Sequence, residues 1–125
     1  MARSRWRPNT YIPDLAAAAR AKWQGAPEGA VVGHIHLQVG DVPTAEGFYR
    51  DELGFPVMAH YPGAAFYGSG GYHHHIATNV WNSRGAAKRT PGTGLAGFTI
   101  RADQPPAQTR VTDPWGIEIE FTGKN

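Results

Sequence analysis

The stretch VVGHIHLQVGDVPTAEGFYRDELGF (31–55) decides the fold. Its first part, VVGHIHLQV (31–39), alternates with period two. Val31, Gly33, Ile35, Leu37 and Val39 share one face, and Val32, His34, His36 and Gln38 share the other. That period predicts a half-buried strand. One face is apolar; the other presents two imidazoles and an amide, the lining of a polar cleft. The period then changes. Asp41 is placed to cap a helix through Leu53, with Pro43 tolerated in its first turn. Val42, Ala45, Phe48, Tyr49 and Leu53 recur on its inner face, and Gly54 stands where a C′ glycine belongs. Gly47, inside this helix, costs about 1 kcal/mol against alanine, which close packing on a sheet would explain.

Working outward, strands are expected at FPVMAHY (55–61), AAFYG (64–68), YHHHIATNVW (72–81) and LAGFTIRA (95–102), and RVTDPWGIEIEF (110–121) reads as strand, Asp-Pro turn, strand. Pro62-Gly63 and the run 68–71 are turns, and 82–94 and 103–108 are loops. The order is strand, helix, three strands, then three more strands. This is an α+β fold of paired βαβββ units forming a curved mixed sheet around a cleft, with the second unit shortened and lacking its helix. Sixteen glycines and ten prolines suit such a turn-rich fold.

Residues 1–30 read as an N-terminal extension and 31–125 as the domain. Pro8, Pro13 and Pro27 divide the extension, and DLAAAARAKW (14–23) reads as a short helix capped by Asp14. Five basic side chains against two acidic ones fall in residues 1–30, so the net charge of +2 is an N-terminal feature and not a basic stripe on the folded body. Nucleic-acid binding therefore fits poorly. The apolar run Ala16–Ala19 is too short to span a membrane, and no signal-type apolar region follows the basic start. With no cysteine, disulfides and thiolate metal sites are excluded, and the cytoplasm is the expected compartment.

Three features carry chemistry: His34 with His36 in the opening strand, the triplet His73-His74-His75, and Glu118 with Glu120 in the last strand. Strand alternation would turn His73 and His75 one way and His74 the other. Two imidazoles and one carboxylate on neighbouring strands make a facial triad. Such a triad leaves coordination positions open and suits Fe(II), Mn(II), Zn(II) or Ni(II). A histidine triplet can also be an adventitious nickel-binding surface.

These residues also carry a family resemblance. GHIHLQVGD (33–41) with AEGFYRDELGF (45–55) resembles the opening of the vicinal oxygen chelate superfamily, which includes glyoxalase I, extradiol dioxygenases, fosfomycin-resistance enzymes and bleomycin-resistance proteins. DPWGIEIEF (113–121) resembles its closing DPxGxxIEL motif, and GYHHHIATNVW (71–81) resembles a catechol-2,3-dioxygenase-like subgroup. The likeness covers about residues 30–121. Residues 15–37 also resemble the linker into the C-terminal half of longer, two-domain members.

The resemblance implies metal ligands at His34, His75 and Glu120, with His36, His73 and Tyr72 as groups for proton transfer or substrate hydrogen bonding. It implies one divalent ion, Fe(II) favoured, a small-molecule substrate with vicinal oxygens, and a homodimer. The implied activity is an extradiol-type dioxygenase, with a glyoxalase-like isomerase or lyase, or a metal-free antibiotic-binding protein, as alternatives. Two departures stand out. Gly97 occupies a position that is a histidine ligand in several relatives, and QPPAQT (104–109) replaces a helix and a strand, so a partner chain would have to supply the missing wall.

Overall fold

The computed structural model describes Ala17, Lys22, residues 24–90 and residues 92–123. The chain divides into two compact units, Met1–Val31 and Val32–Asn125. In the first, the Ala30 amide closes a turn on the Pro27 carbonyl at 3.0 Å. The helix expected over 14–23 lies outside the described residues, apart from Ala17 and Lys22.

The second unit holds seven strands: β1 (Ile35–Gln38), β2 (Val57–Tyr61), β3 (Ala64–Tyr67), β4 (Ile76–Asn79), β5 (Gly97–Ala102), β6 (Arg110–Thr112) and β7 (Glu118–Gly123). They form two mixed sheets, ordered β1-β4-β3-β2 and β5-β7-β6. The first strand of each set lies parallel to the last, and the penultimate strand pairs antiparallel with the last. The second set thus repeats the plan of the first without a helix among its described residues. This is an α+β fold with a shortened second unit.

The helix begins where the sequence places it. Asp41 Oδ2 accepts from the Thr44 amide at 2.9 Å and the Thr44 hydroxyl at 2.6 Å, and these bonds hold its carboxyl below the usual range. Helix α1 (Val42–Glu46) passes into a π-helical segment, Gly47–Glu52, in which Leu53 N–H reaches the Phe48 carbonyl five residues back at 3.0 Å. Gly54, at φ 76°, ends it. Close packing does not explain Gly47: a Cβ there would meet nothing within 4 Å.

Ala45, Phe48 and Tyr49 bury against Leu37, Val39, Ala65, Tyr67 and Ile76 of the first sheet and Ile117, Ile119 and Phe121 of the second segment, in one core. Burial, together with the nearby Glu46 carboxylate, pushes the Tyr67 hydroxyl up to about 12, and its bond with Thr78 Oγ1 at 3.0 Å works the other way. Asp113, 3 % exposed, sits in the same core. Its carboxylate accepts from the Tyr49 hydroxyl at 2.9 Å and from the amides of Trp115 and Ile117 at 2.9 and 2.8 Å. Burial, and then the charge of Asp113, push the Tyr49 hydroxyl far up, so it stays a donor.

Several strands are shorter than the sequence predicts, and in β4 the difference matters most. β4 starts at Ile76, so the histidine triplet is not in the middle of a strand but in the segment leading into it. The cause is the turn at 68–71. Gly70 and Gly71 adopt φ 61° and 76°, and Gly68 lies so close to the Tyr72 carbonyl and the Met58 side chain that no Cβ fits. The chain therefore loops over before regaining the ladder at His75, whose amide donates to the Tyr67 carbonyl at 2.8 Å.

Two stability outcomes follow. Asp113→Ala leaves one hydroxyl and two amides without their buried acceptor, and is expected to lower stability by about 3–5 kcal/mol in chemical denaturation. Gly47→Ala, at a helical φ of −53° in open space, is expected to raise it by about 0.5–1 kcal/mol.

Candidate metal centre

The register places the chemistry. Ile35 pairs with Ile76 and Leu37 with Thr78 on the face that meets the helix. The opposite face carries His36 and Gln38 of β1, Ala77 and Asn79 of β4, and Phe66 of β3. His34, one residue before β1, belongs with them.

Four imidazoles gather there. The His34 ring lies 5.5 Å from His36, 5.8 Å from His73 and 4.5 Å from His74, centroid to centroid. His36 Nε2 and His74 Nε2 are 3.2 Å apart, one donating and the other accepting. Phe66 meets the edges of both rings, at 5.9 and 5.0 Å. Nitrogens of His34, His73 and His74 all lie within 4.8 Å of one another. Burial first, and then the charge of His34, lower the His36 pKa. For His74, burial leads again, followed by repulsion from His34, His73, His36 and His75. Neutral imidazoles are the form that binds a metal.

His75 stands one ring away. Tyr72 bridges the two groups, 4.2 Å from the His73 ring and 4.7 Å from that of His75. The His75 backbone is fixed, its carbonyl accepting from Ile35 N–H at 3.0 Å. Its Nδ1 is buried with no hydrogen-bond partner among the described residues. A desolvated, unpaired imidazole nitrogen is costly in a protein interior, and a metal ligand bond would relieve it. His34 and His75 also line a cavity of about 1160 Å³ with Leu53, Phe98, Ile100 and Phe121. Gln104, Pro106 and Gln108 border it, in the loop between β5 and β6.

Glu120 is on the other sheet. Alternation in β7 buries Ile119 and Phe121 and turns Glu118 and Glu120 to the opposite face, beside Gly97, Thr99 and Arg110. There Arg110 Nε and Nη2 both donate to Glu120 Oε1, at 3.1 and 2.9 Å. This exposed ion pair contributes about 0–1 kcal/mol and is readily exchanged. So the structure brings His34 together with His73 and His74, sets His75 beside them through Tyr72, and keeps Glu120 with Arg110. Gly97 is packed backbone to backbone: a Cβ would lie 2.6 Å from the Glu118 carbonyl oxygen.

Sequence reasoning missed His74, assigned to the far side of a strand that does not reach it, and Arg110. The glycines at 68, 70 and 71 were the signal for the first. For the second, the hairpin across the Asp113 turn was legible, but the register that sets Arg110 directly opposite Glu120 was not.

Comparison with known proteins joins this geometry to a family. Residues 31–106 match the model of the Glyoxalase/Bleomycin resistance protein/Dioxygenase superfamily. The chain belongs to this superfamily. A catechol-2,3-dioxygenase of Bacillus subtilis (strain 168) is 46 % identical over 89 residues, 69 % of this chain and 31 % of the relative. The chain therefore spans about a third of that relative's length. Two solved structures share the superfamily fold. A lactoylglutathione lyase from Agrobacterium tumefaciens has a TM-score of 0.53 at 22 % identity, over 78 % of this chain and 95 % of its own. A glyoxalase/bleomycin resistance protein/dioxygenase from Nocardioides has a TM-score of 0.52 at 12 % identity, over 90 % and 91 %. Among the described residues no helix is long and apolar enough to cross a membrane.

The lowered pKa values give a pH dependence. The unfolded chain binds protons at His36 and His74 that the folded chain still refuses. Their contribution to stability is therefore intact above the ordinary histidine pKa of about 6.5 and is lost as pH falls below it, through the lowered values. In a histidine-detected NMR titration of the metal-free protein, His36 and His74 are expected to protonate at lower pH than free histidine.

Proposed function

We propose that this superfamily member is a metal-dependent enzyme acting on a small substrate with two neighbouring oxygens, of the extradiol dioxygenase type. The observation that carries the reading is the unpaired buried nitrogen of His75, beside a cavity that His75 lines together with His34. The 46 % identity to a catechol-2,3-dioxygenase supports it. The ligands in this reading are His34, His75 and Glu120. Glu120 comes from a second copy in a homodimer, because within one chain it faces out from the other sheet and holds Arg110.

A bound Fe(II) would offer open positions to a chelating diol and to dioxygen. The protein's own part is to bind, orient and move protons. His36 and His73 flank His34, and in this reading they take or return a substrate proton. Tyr72, 40 % exposed and stacked on both His73 and His75, offers its hydroxyl to a substrate oxygen. Phe66 packs against the His74 ring, and Leu53, Phe98, Ile100 and Phe121 give the cavity beside His34 and His75 an apolar wall for the body of a substrate. With zinc, nickel or manganese in place of iron, the same residues would serve a glyoxalase-like isomerisation, so the resident metal separates the two readings.

The deciding experiment is elemental analysis of the untagged protein beside His75→Ala and Glu120→Ala. About one iron per chain, lost in both variants, with oxygen uptake on adding a catechol, is the expected result. A protein that holds no metal, and takes up none of Fe(II), Mn(II), Zn(II) or Ni(II), would sink the enzyme reading and leave a small-molecule binding protein.

A further inference from the structure

The imidazoles that the proposed ligand set leaves unused have a geometry of their own. His73 and His74 sit on the loop before β4 and face His34, 39 and 40 residues earlier in the chain. Metal–nitrogen bonds are about 2.0–2.1 Å, so tetrahedral donors stand roughly 3.3 Å apart. Nitrogens already within 4.8 Å of one another need only small ring movements to close on an ion.

We propose that His34, His73 and His74 form a nitrogen-only site for a borderline divalent cation such as Zn(II) or Ni(II), and that an ion held there keeps the catalytic metal out, because both need His34. The second half rests on the ligand set proposed above; the first half does not.

Four features argue for it. No carboxylate belongs to this group among the described residues, and an all-imidazole set suits zinc, nickel, copper or iron better than magnesium, calcium or manganese. The rings are held, unlike a run of histidines on a free chain: His34 is followed by the Ile35 amide bonded to His75, and the loop is pinned by the Tyr72 amide on the Ser69 carbonyl and the His75 amide on that of Tyr67. His36 contacts His74 through its Nε2 and orients that ring from outside the group, the part that outer partners play at metal sites. Finally, His34 and His73 are exposed, so an ion enters from solvent without any opening of the fold.

The test is calorimetric titration of Zn(II) into the untagged, chelator-treated protein, into the His75→Ala/Glu120→Ala double variant, and into that double variant carrying His74→Asn as well, with Fe(II) uptake measured in parallel in wild type and in His74→Asn. His74 is outside the proposed catalytic set. Wild type and the double variant are expected to bind one Zn(II) per chain. Adding His74→Asn to the double variant is expected to weaken Zn(II) binding at least about tenfold, and His74→Asn alone to leave the melting temperature and Fe(II) uptake unchanged. One equivalent of Zn(II) should block Fe(II) uptake by wild type. Zn(II) binding that disappears in the double variant, or that survives there when His74→Asn is added, would overturn the site. Zn(II) that binds as expected but leaves Fe(II) uptake intact would overturn the competition. If no variant takes up Fe(II), the proposed function fails while the Zn(II) titrations still decide this site.

Discussion

The buried carboxylate of Asp113 is the constraint on which the arrangement depends. A charged group at 3 % exposure survives only if its oxygens are satisfied. It meets that demand with two amides of its own turn and one phenol from the π-helical segment of the other half. The turn before β7 is thereby fixed to the element that covers the first sheet. Trp115, two residues on, extends the tie: its Nε1 donates to the Ala86 carbonyl at 2.9 Å, against Gly40 at the end of β1, where no side chain fits. The closing motif is thus a clamp between the two halves before it is the approach to a functional strand.

That clamp determines which faces remain open. The helix and the Asp113 turn take up one side of each sheet. Histidines are left on the free side of the first sheet and carboxylates on the free side of the second. Each group is polar because its strand alternates, and each is accessible because the core has gathered elsewhere. The loop at 68–75 adds to the histidine side by breaking alternation. It turns His73 and His74 towards His34, where a regular strand would have sent one of them to the other face.

Much of this was legible in the sequence. The period-two run 31–39, the Asp41 cap, the glycine at 54 and the spacing of the later strands follow from local chemistry, and local chemistry sets local structure. The site was legible in part. His34 and His75 were chosen by family resemblance, and the structure sets His34 against His74 and His75 against Tyr72. His74 could not be chosen, because the glycine turn that moves it is a tertiary fit, set by Gly68 against Tyr72 and Met58. Glu120 was assigned by motif to a metal, but its neighbour within the chain is set by the register of β6 on β7, which the strand pattern alone does not reveal. The π-helical segment has no signal in residue type; it appears where Tyr49 must reach both the core and Asp113.

Gly97 bears on how such a protein changes over generations. There the backbones of β5 and β7 have closed into the space that a side chain would need. A histidine at this position is therefore not reached by a single substitution: the strand pair would have to part first, at a cost borne before any ligand was gained. Once such a gap has closed, new ligands are more easily gained on the loop before β4, whose side chains already meet solvent. A position can in this way become inaccessible to evolution while the fold around it persists.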